Sequence, residues 1–200
     1  MGDCCKIDPE NLQKKRVLIW VLIINSIVFF AQFTAAVIAH SSSLLADSLD
    51  MLGDAITYAV SLYAAGRGGR WLAKAALLKG FIIAFFSLII YADVIYKLVY
   101  SSILPKAGLM TVFSIVGLIS NGICLYLLTS HRTKDINMYS TWICARNDII
   151  ANISVLVTAG LTVLTLSRWP DIVIGTGLAT VLFYSAIMIL KVSVKELKKV

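Results

Sequence analysis

Three carboxylates, Asp47, Asp50 and Asp54, stand inside the apolar stretch SLLADSLDMLGD. Asp50 and Asp54 are spaced i, i+4 and share a helix face, with Asp47 on or near it. Farther along, Cys144 and Asp148 repeat that spacing, and Asn152 continues their face by one turn. A carboxylate at the centre of a bilayer costs roughly 2.5–3.5 kcal/mol on insertion scales. A helix keeps one where it faces a bundle interior and meets a proton, a cation or a partner. The basic groups within reach of the apolar stretches are Arg146, with Lys97 and Lys79 near the ends. They are fewer than a structural ion-pair network needs, so the face reads as a cation or proton pathway. Asp50, Asp54, Cys144 and Asp148 together offer three carboxylates and one thiolate. Four ligands on two i, i+4 pairs suit a tetrahedral ion, and mixed O and S donors fit Zn2+, with Cd2+ and Co2+ next. Ca2+ or Mg2+ would want oxygen alone.

Elements that position these residues are set by composition. Of 200 residues, 59% are hydrophobic and 14% charged, and the mean hydropathy is +0.86. That is more apolar surface than a soluble domain needs. Apolar runs cover Val17–Ala39, Leu44–Ala65, Ala75–Tyr100, Leu109–Ser130, Tyr139–Ser167 and Pro170–Val192. Each is near the ~20 residues that cross a hydrocarbon core of about 30 Å. The expected fold is all-α: a polytopic membrane protein with six transmembrane helices. The expected organisation is a tail over 1–16, one transport domain over 17–192 and a short basic stub over 193–200, with no room for a soluble C-terminal domain. Six spans also exclude reading the first as a removed signal peptide.

The net charge is +7. Lys6, Lys14, Lys15 and Arg16 precede the first span, and Arg67, Arg70, Lys74 and Lys79 flank the second connection. Arg132 and Lys134 lie in the fourth, and Lys191, Lys195, Lys198 and Lys199 follow the sixth span. The other connections hold only Lys97, Lys106 and Arg168. Basic residues on alternate connections are a positive-inside pattern, which puts both termini in the cytoplasm. The excess faces anionic lipid, so no nucleic acid is expected. Helix 2 then runs inward and helix 5 outward, and the two acid pairs meet near mid-depth. No nucleophile–base constellation or nucleotide-binding loop is present, so an enzyme is not expected.

Other polar residues have plainer readings. Asn25, Gln32, Asn121, Asn147 and Asn152 fit helix–helix hydrogen bonds, with Asn25 and Asn152 as outer-shell candidates around an ion. Asp47 is a candidate third metal ligand on helix 2, though an outer entry or proton-relay position fits it better. Asp93 and Lys97 are i, i+4 and should pair. Arg146 lies about 200° around the helix from its ligand neighbours and should point away. Cys124 reads as a small core residue, His40 and His131 as surface or interface residues, and Gly175 and Gly177 as marks of close helix packing. The adjacent Cys4 and Cys5 lie in a reducing compartment and stay thiols; on a tail they suit capture of a soft metal, with lipidation as an alternative.

SLLADSLDMLGDA resembles the second helix of the cation diffusion facilitator family, zinc transporters that exchange metal for protons. There an acidic or His residue precedes Asp by four positions, and the fifth helix carries His-x3-Asp. Asp50-x3-Asp54 and Cys144-x3-Asp148 align with those pairs, with Cys144 standing where the family has His. WPDIVIG, opening helix 6, is similar to the family's proline–aspartate–glycine signature. The resemblance implies proton-coupled antiport of a divalent metal out of the cytosol by alternating access. It implies the metal as substrate with no cofactor, a homodimer, and here a short form without the family's cytoplasmic domain. The family's loop site between helices 2 and 3 looks absent, because GRGGRW has no His or Asp. A minimal multi-pass protein of a prokaryotic plasma membrane is expected. The thiolate at Cys144 keeps a soft heavy-metal transporter, for Hg2+ or Cd2+, as an alternative. The alternative from another class is a membrane metal sensor or accessory subunit that binds without transporting.

Overall fold

A computed structural model of the protein describes residues 9–64, 69–100, 103–129 and 136–198. The described residues form helices throughout: α1 Pro9–Ala39, α2 Ser42–Ala64, α3 Gly69–Tyr100, α4 Ala107–Thr129, α5 Ile136–Thr165 and α6 Trp169–Leu197. The apolar runs therefore mark real elements, but several helices outlast them. α1 begins ahead of its run, at Pro9, a first helical position where the missing proline N–H costs nothing. α6 carries on through Lys191 and Lys195 to Leu197. Helices joined by short connections alternate in direction. One face of the bundle, here called proximal, thus carries the start of α1 and the end of α6, and the distal face carries the α1–α2, α3–α4 and α5–α6 connections.

Among the described residues five helices, α1 and α3 to α6, are long and apolar enough to cross a membrane. α2 has the length but holds three aspartates, Asp47, Asp50 and Asp54. Packing explains how it tolerates them. α2 lies against α1, α3, α5 and α6, and most of its described side chains are buried. The outer helices show apolar flanks instead, including Trp20, Ile27 and Phe30 on α1 and Leu78, Phe81 and Phe85 on α3. Such a continuous apolar surface requires lipid rather than water around it. Asp47, Asp50 and Asp54 thus sit on a helix largely sheltered from that lipid.

Three apolar clusters hold the bundle. One joins Val28 and Phe29 of α1, Leu49 and Met51 of α2, Ile83 and Ile90 of α3, and Ile172 and Leu182 of α6. A second, toward the distal face, gathers Ala35, Ala36 and Ala39 with Leu44, Met110, Val155 and Ala159. Small residues on α1 and α5 let backbones come close there. A third closes the proximal end with Val21, Tyr58, Cys124, Leu128 and Ala145. Cys124 is a buried free thiol in this cluster, as its core reading expected.

At the distal face α1 turns into α2 over two residues. His40 takes a left-handed backbone, φ 54°. Its N–H donates to Val37 O (3.3 Å), and the Ser41 N–H donates to Ala36 O (3.1 Å). That is the Schellman closure of a helix, with His where Gly is usual. Ser41 then caps α2, its Oγ accepting from the Leu44 N–H at 3.1 Å. Leu166 ends α5 with a similar backbone, φ 48°.

Candidate metal centre

The polar face of α2 reads Ser43, Asp47, Asp50, Asp54 and Tyr58, at steps of four, three, four and four residues. It points to α5. Asp54 and Asp148 lie within hydrogen-bonding reach of each other, and Asp50 and Asp47 are within Coulombic range of Asp148. Antiparallel α2 and α5 do bring the two acidic faces together at mid-depth. Tyr58, one turn below Asp54, donates its hydroxyl to Asp54 Oδ2 at 2.9 Å. Asp54 and Asp148 are both buried, and Asp148 Oδ2 has no hydrogen-bond donor. A carboxylate oxygen in that state is costly unless a proton or a cation satisfies it.

Asp50 is the more open acid. It lines a cleft of about 230 Å3 with Asp47, Asn147, Ala151 and Ser154, closed on its far side by Leu178 and Leu182 of α6. The cleft therefore reaches the acids from between α5 and α6. Lys79 of α3 is in Coulombic range of Asp50, and so is Asp54. The Cys144 side chain lies outside the described residues, as do Cys4, Cys5 and His131. Among the described residues no three His, Cys, Asp or Glu side chains are gathered closely enough to hold an ion. The described arrangement is thus a carboxylate pair, Asp54 and Asp148, with Asp50 and Asp47 at the mouth.

A hub of amides supports the pair from behind. Gln32 of α1 is fully buried, and the two N–H groups of its Nε2 are shared among three acceptors, Asp47 Oδ2 (3.1 Å), Asn152 Oδ1 (3.1 Å) and Phe113 O (3.0 Å). Asn152 in turn donates to the Asp148 backbone oxygen at 2.9 Å. One amide thereby ties α1, α2, α4 and α5. Gly117 of α4 leaves room for it, since a Cβ there would collide with Asn152 Oδ1 and Gln32 Nε2. Asn25 donates to Val21 O (2.9 Å) and to Cys124 Sγ (3.7 Å). Its bonds reach α4 rather than the carboxylates directly.

Several single-residue readings find their structural counterparts here. Asp93 and Lys97 pair at 2.7 Å. Arg146 is exposed and stacks on Trp142, with its guanidinium carbon 5.7 Å from the ring centroid. Gly175 packs against Ser42 and Ser43, as close packing requires. Gly177 is a correction: it is exposed, and a Cβ there would meet nothing. Asn147 is also corrected, from a helix–helix bond to an exposed wall of the cleft. Sequence reasoning missed Tyr58 and Gly117. Tyr58 had a signal, the i, i+4 spacing from Asp54; a lone Gly in an apolar helix carries none.

Comparison with known proteins agrees with this architecture. A family model for the cation efflux transmembrane domain matches residues 18–198. No curated protein matches the chain. The match runs from the start of the first apolar run to the end of α6 and includes both acidic faces. The chain belongs to the cation efflux family, the cation diffusion facilitators, whose members carry divalent cations across membranes.

Proposed function

We propose that this protein exports a divalent transition metal, Zn2+ foremost, from the cytosol in exchange for protons. The observation that carries the reading is the buried Asp54–Asp148 pair across α2 and α5, with Asp148 Oδ2 left without a donor. A buried carboxylate oxygen without a donor, set among other carboxylates, must hold either a proton or a cation. Metal and proton then compete for the same oxygens, which is the chemical basis of exchange.

Asp50, Asp54, Cys144 and Asp148 are the ligands in this reading. The ion enters by the cleft, meets Asp50 at its wall, and draws Asp50 toward Asp54 and Asp148 while Cys144 supplies the thiolate. Asp47 receives the ion or its exchanging protons on the distal side. Asn152 and Gln32 orient the ligands, and Asn25 supports α4 beside them. In this reading both termini are cytoplasmic, as the alternation of basic connections supports, and the metal comes to the cleft from the inner side. Family likeness supports a homodimer in the plasma membrane. Cys4 and Cys5 deliver soft metal to the entrance.

The test is metal uptake into proteoliposomes under an imposed pH gradient, with Zn2+, Cd2+, Co2+ and Hg2+ compared. Gradient-driven Zn2+ flux that is lost in Asp54→Ala and Asp148→Ala is expected. Tight binding without flux in the wild type would instead make the protein a membrane sensor, and flux of Hg2+ without Zn2+ a soft-metal detoxifier.

A further inference from the structure

The polar face of α2 does not stop at the acids. Ser43 stands one turn beyond Asp47 toward the distal face, so a route along α2 from Asp47 to that face passes Ser43. There the way is barred by Asp171 of α6. Its carboxylate gathers the donors of the first turn of α2. Asp171 Oδ1 accepts from Ser41 Oγ (2.7 Å), Ser43 Oγ (2.6 Å) and the Ser43 N–H (3.1 Å), and Oδ2 accepts from the Ser42 N–H (2.8 Å). These are free N-terminal donors at the positive end of the helix dipole, where an anion is favoured.

Backbone contact completes the closure. Gly175 lies one turn after Asp171 on α6, and a Cβ there would stand 2.9 Å from Ser42 Cβ and 2.9 Å from Ser42 C. Ser42 is held from the α3 side as well, donating through Oγ to Asp93 Oδ2 (2.7 Å) and accepting from Lys97 Nζ (2.8 Å). Arg168 donates to Lys97 O at 2.8 Å. Every one of Ser41, Ser42, Ser43 and Asp171 is buried to 1% exposure or less. The cleft lies deeper, between α5 and α6, and none of these residues lines it.

Composition separates this junction from the contacts below it. Deeper down, α2 and α6 contribute Ala46, Leu49, Ala179 and Leu182 to one apolar cluster, which loses stability when parted. The distal junction is made largely of hydrogen bonds, whose donors and acceptors find new partners in water when it opens, as an apolar surface does not. An interface with an apolar base and a polar tip opens at the tip. We infer that Asp171 and Gly175 of α6, closed on Ser41–Ser43 of α2, form a gate between the carboxylates and the distal face, with Asp171 as its positioning residue. The inference rests on the transporter reading for its purpose, though not for its test.

Ser43→Cys, placed in the full chain in liposomes, reports on the gate. A membrane-impermeant maleimide is added from the distal side, and modification is read at position 43 by peptide mass, apart from the native cysteines. Labelling is expected to be slow, and to quicken about tenfold or more when Asp171→Asn removes the charge-assisted bonds. An unchanged rate in Asp171→Asn overturns the gate. A second variant pairs Ser42→Cys with Gly175→Cys, whose Cβ atoms would stand 2.9 Å apart, so that the roughly 3.5–4.5 Å of a disulfide is reached by a small outward shift of one helix. Oxidation by diamide should stop metal flux and dithiothreitol restore it. Flux that continues through the cross-linked protein also overturns the gate. If the reduced variant or the wild type moves no metal, the transporter reading is what fails in the wild-type case, and the labelling rates decide on the gate in either case.

Discussion

Asp148 is the residue on which most of the chemistry turns. Its Oδ2 is buried and has no donor, and its neighbours are other acids. Protons and metal should therefore compete there directly. Metal affinity is expected to fall as pH drops from 8 to 6, with protons released on binding, because the ligands bind metal only when deprotonated. Calorimetry in buffers of different ionisation enthalpy counts those protons, and a pH-independent affinity would remove the exchange reading. Gln32 acts one step away. Gln32→Leu keeps the volume but leaves Asp47 and Asn152 without their shared donor, and metal binding should weaken about 10–100-fold, as for other supporting residues around a metal. A wild-type affinity in that variant would reduce Gln32 to packing. Cys144→His restores the family's usual donor and should retain Zn2+ flux while losing preference for Cd2+ and Hg2+.

At the scale of elements, the sequence was legible where a period or a spacing carried the information. All six helices follow apolar runs, and the i, i+4 spacings on α2 and α5 place their carboxylates on facing sides. What stayed hidden depends on partners far apart in the chain. The Gln32 hub needs four helices at once, and Gly117 matters only because Gln32 and Asn152 fill the space its side chain would take. Gly117→Ala should overpack that spot and cost about 1–3 kcal/mol of stability, with weaker metal binding alongside. The turn residues are a separate case. Leu166 is largely exposed and holds φ 48°, which costs a side-chain-bearing residue about 1–2 kcal/mol. Leu166→Gly should raise the melting temperature in detergent, and a fall would show that its side chain has a role at the lipid surface.

Across the whole molecule, α2 behaves as a buried shaft within lipid-facing helices. Helix α3 packs mainly on α6, α4 on α5, and α1 on α2, whereas α2 and α5 meet more sparsely. An ion shared by α2 and α5 would cross-link the weaker seam, so metal should stabilise the fold as well as fill the site. At about 100 times its dissociation constant it would add about 2.7 kcal/mol. Thermal unfolding in detergent should show that upshift with Zn2+ in the wild type and lose it in Asp148→Ala. An equal upshift in the variant would place the stabilising ion elsewhere.

The two-residue turn between α1 and α2 acts as a ruler. His40 and Ser41 fix how far Ala39 lies from Ser42, and the Lys106 N–H fastens that corner by donating to Ala39 O at 2.9 Å. Adding a residue would rotate α2 by about 100° and slide it by about 1.5 Å. Asp171 would then face different donors, and Asp47, Asp50 and Asp54 would swing off α5 together. The length of this corner is thus under tighter constraint than the identity of its residues. Relatives that keep the acidic spacing on α2 should replace His40 by residues that tolerate its left-handed backbone, Gly and Asn foremost, and show neither insertion nor deletion between Ala39 and Ser42.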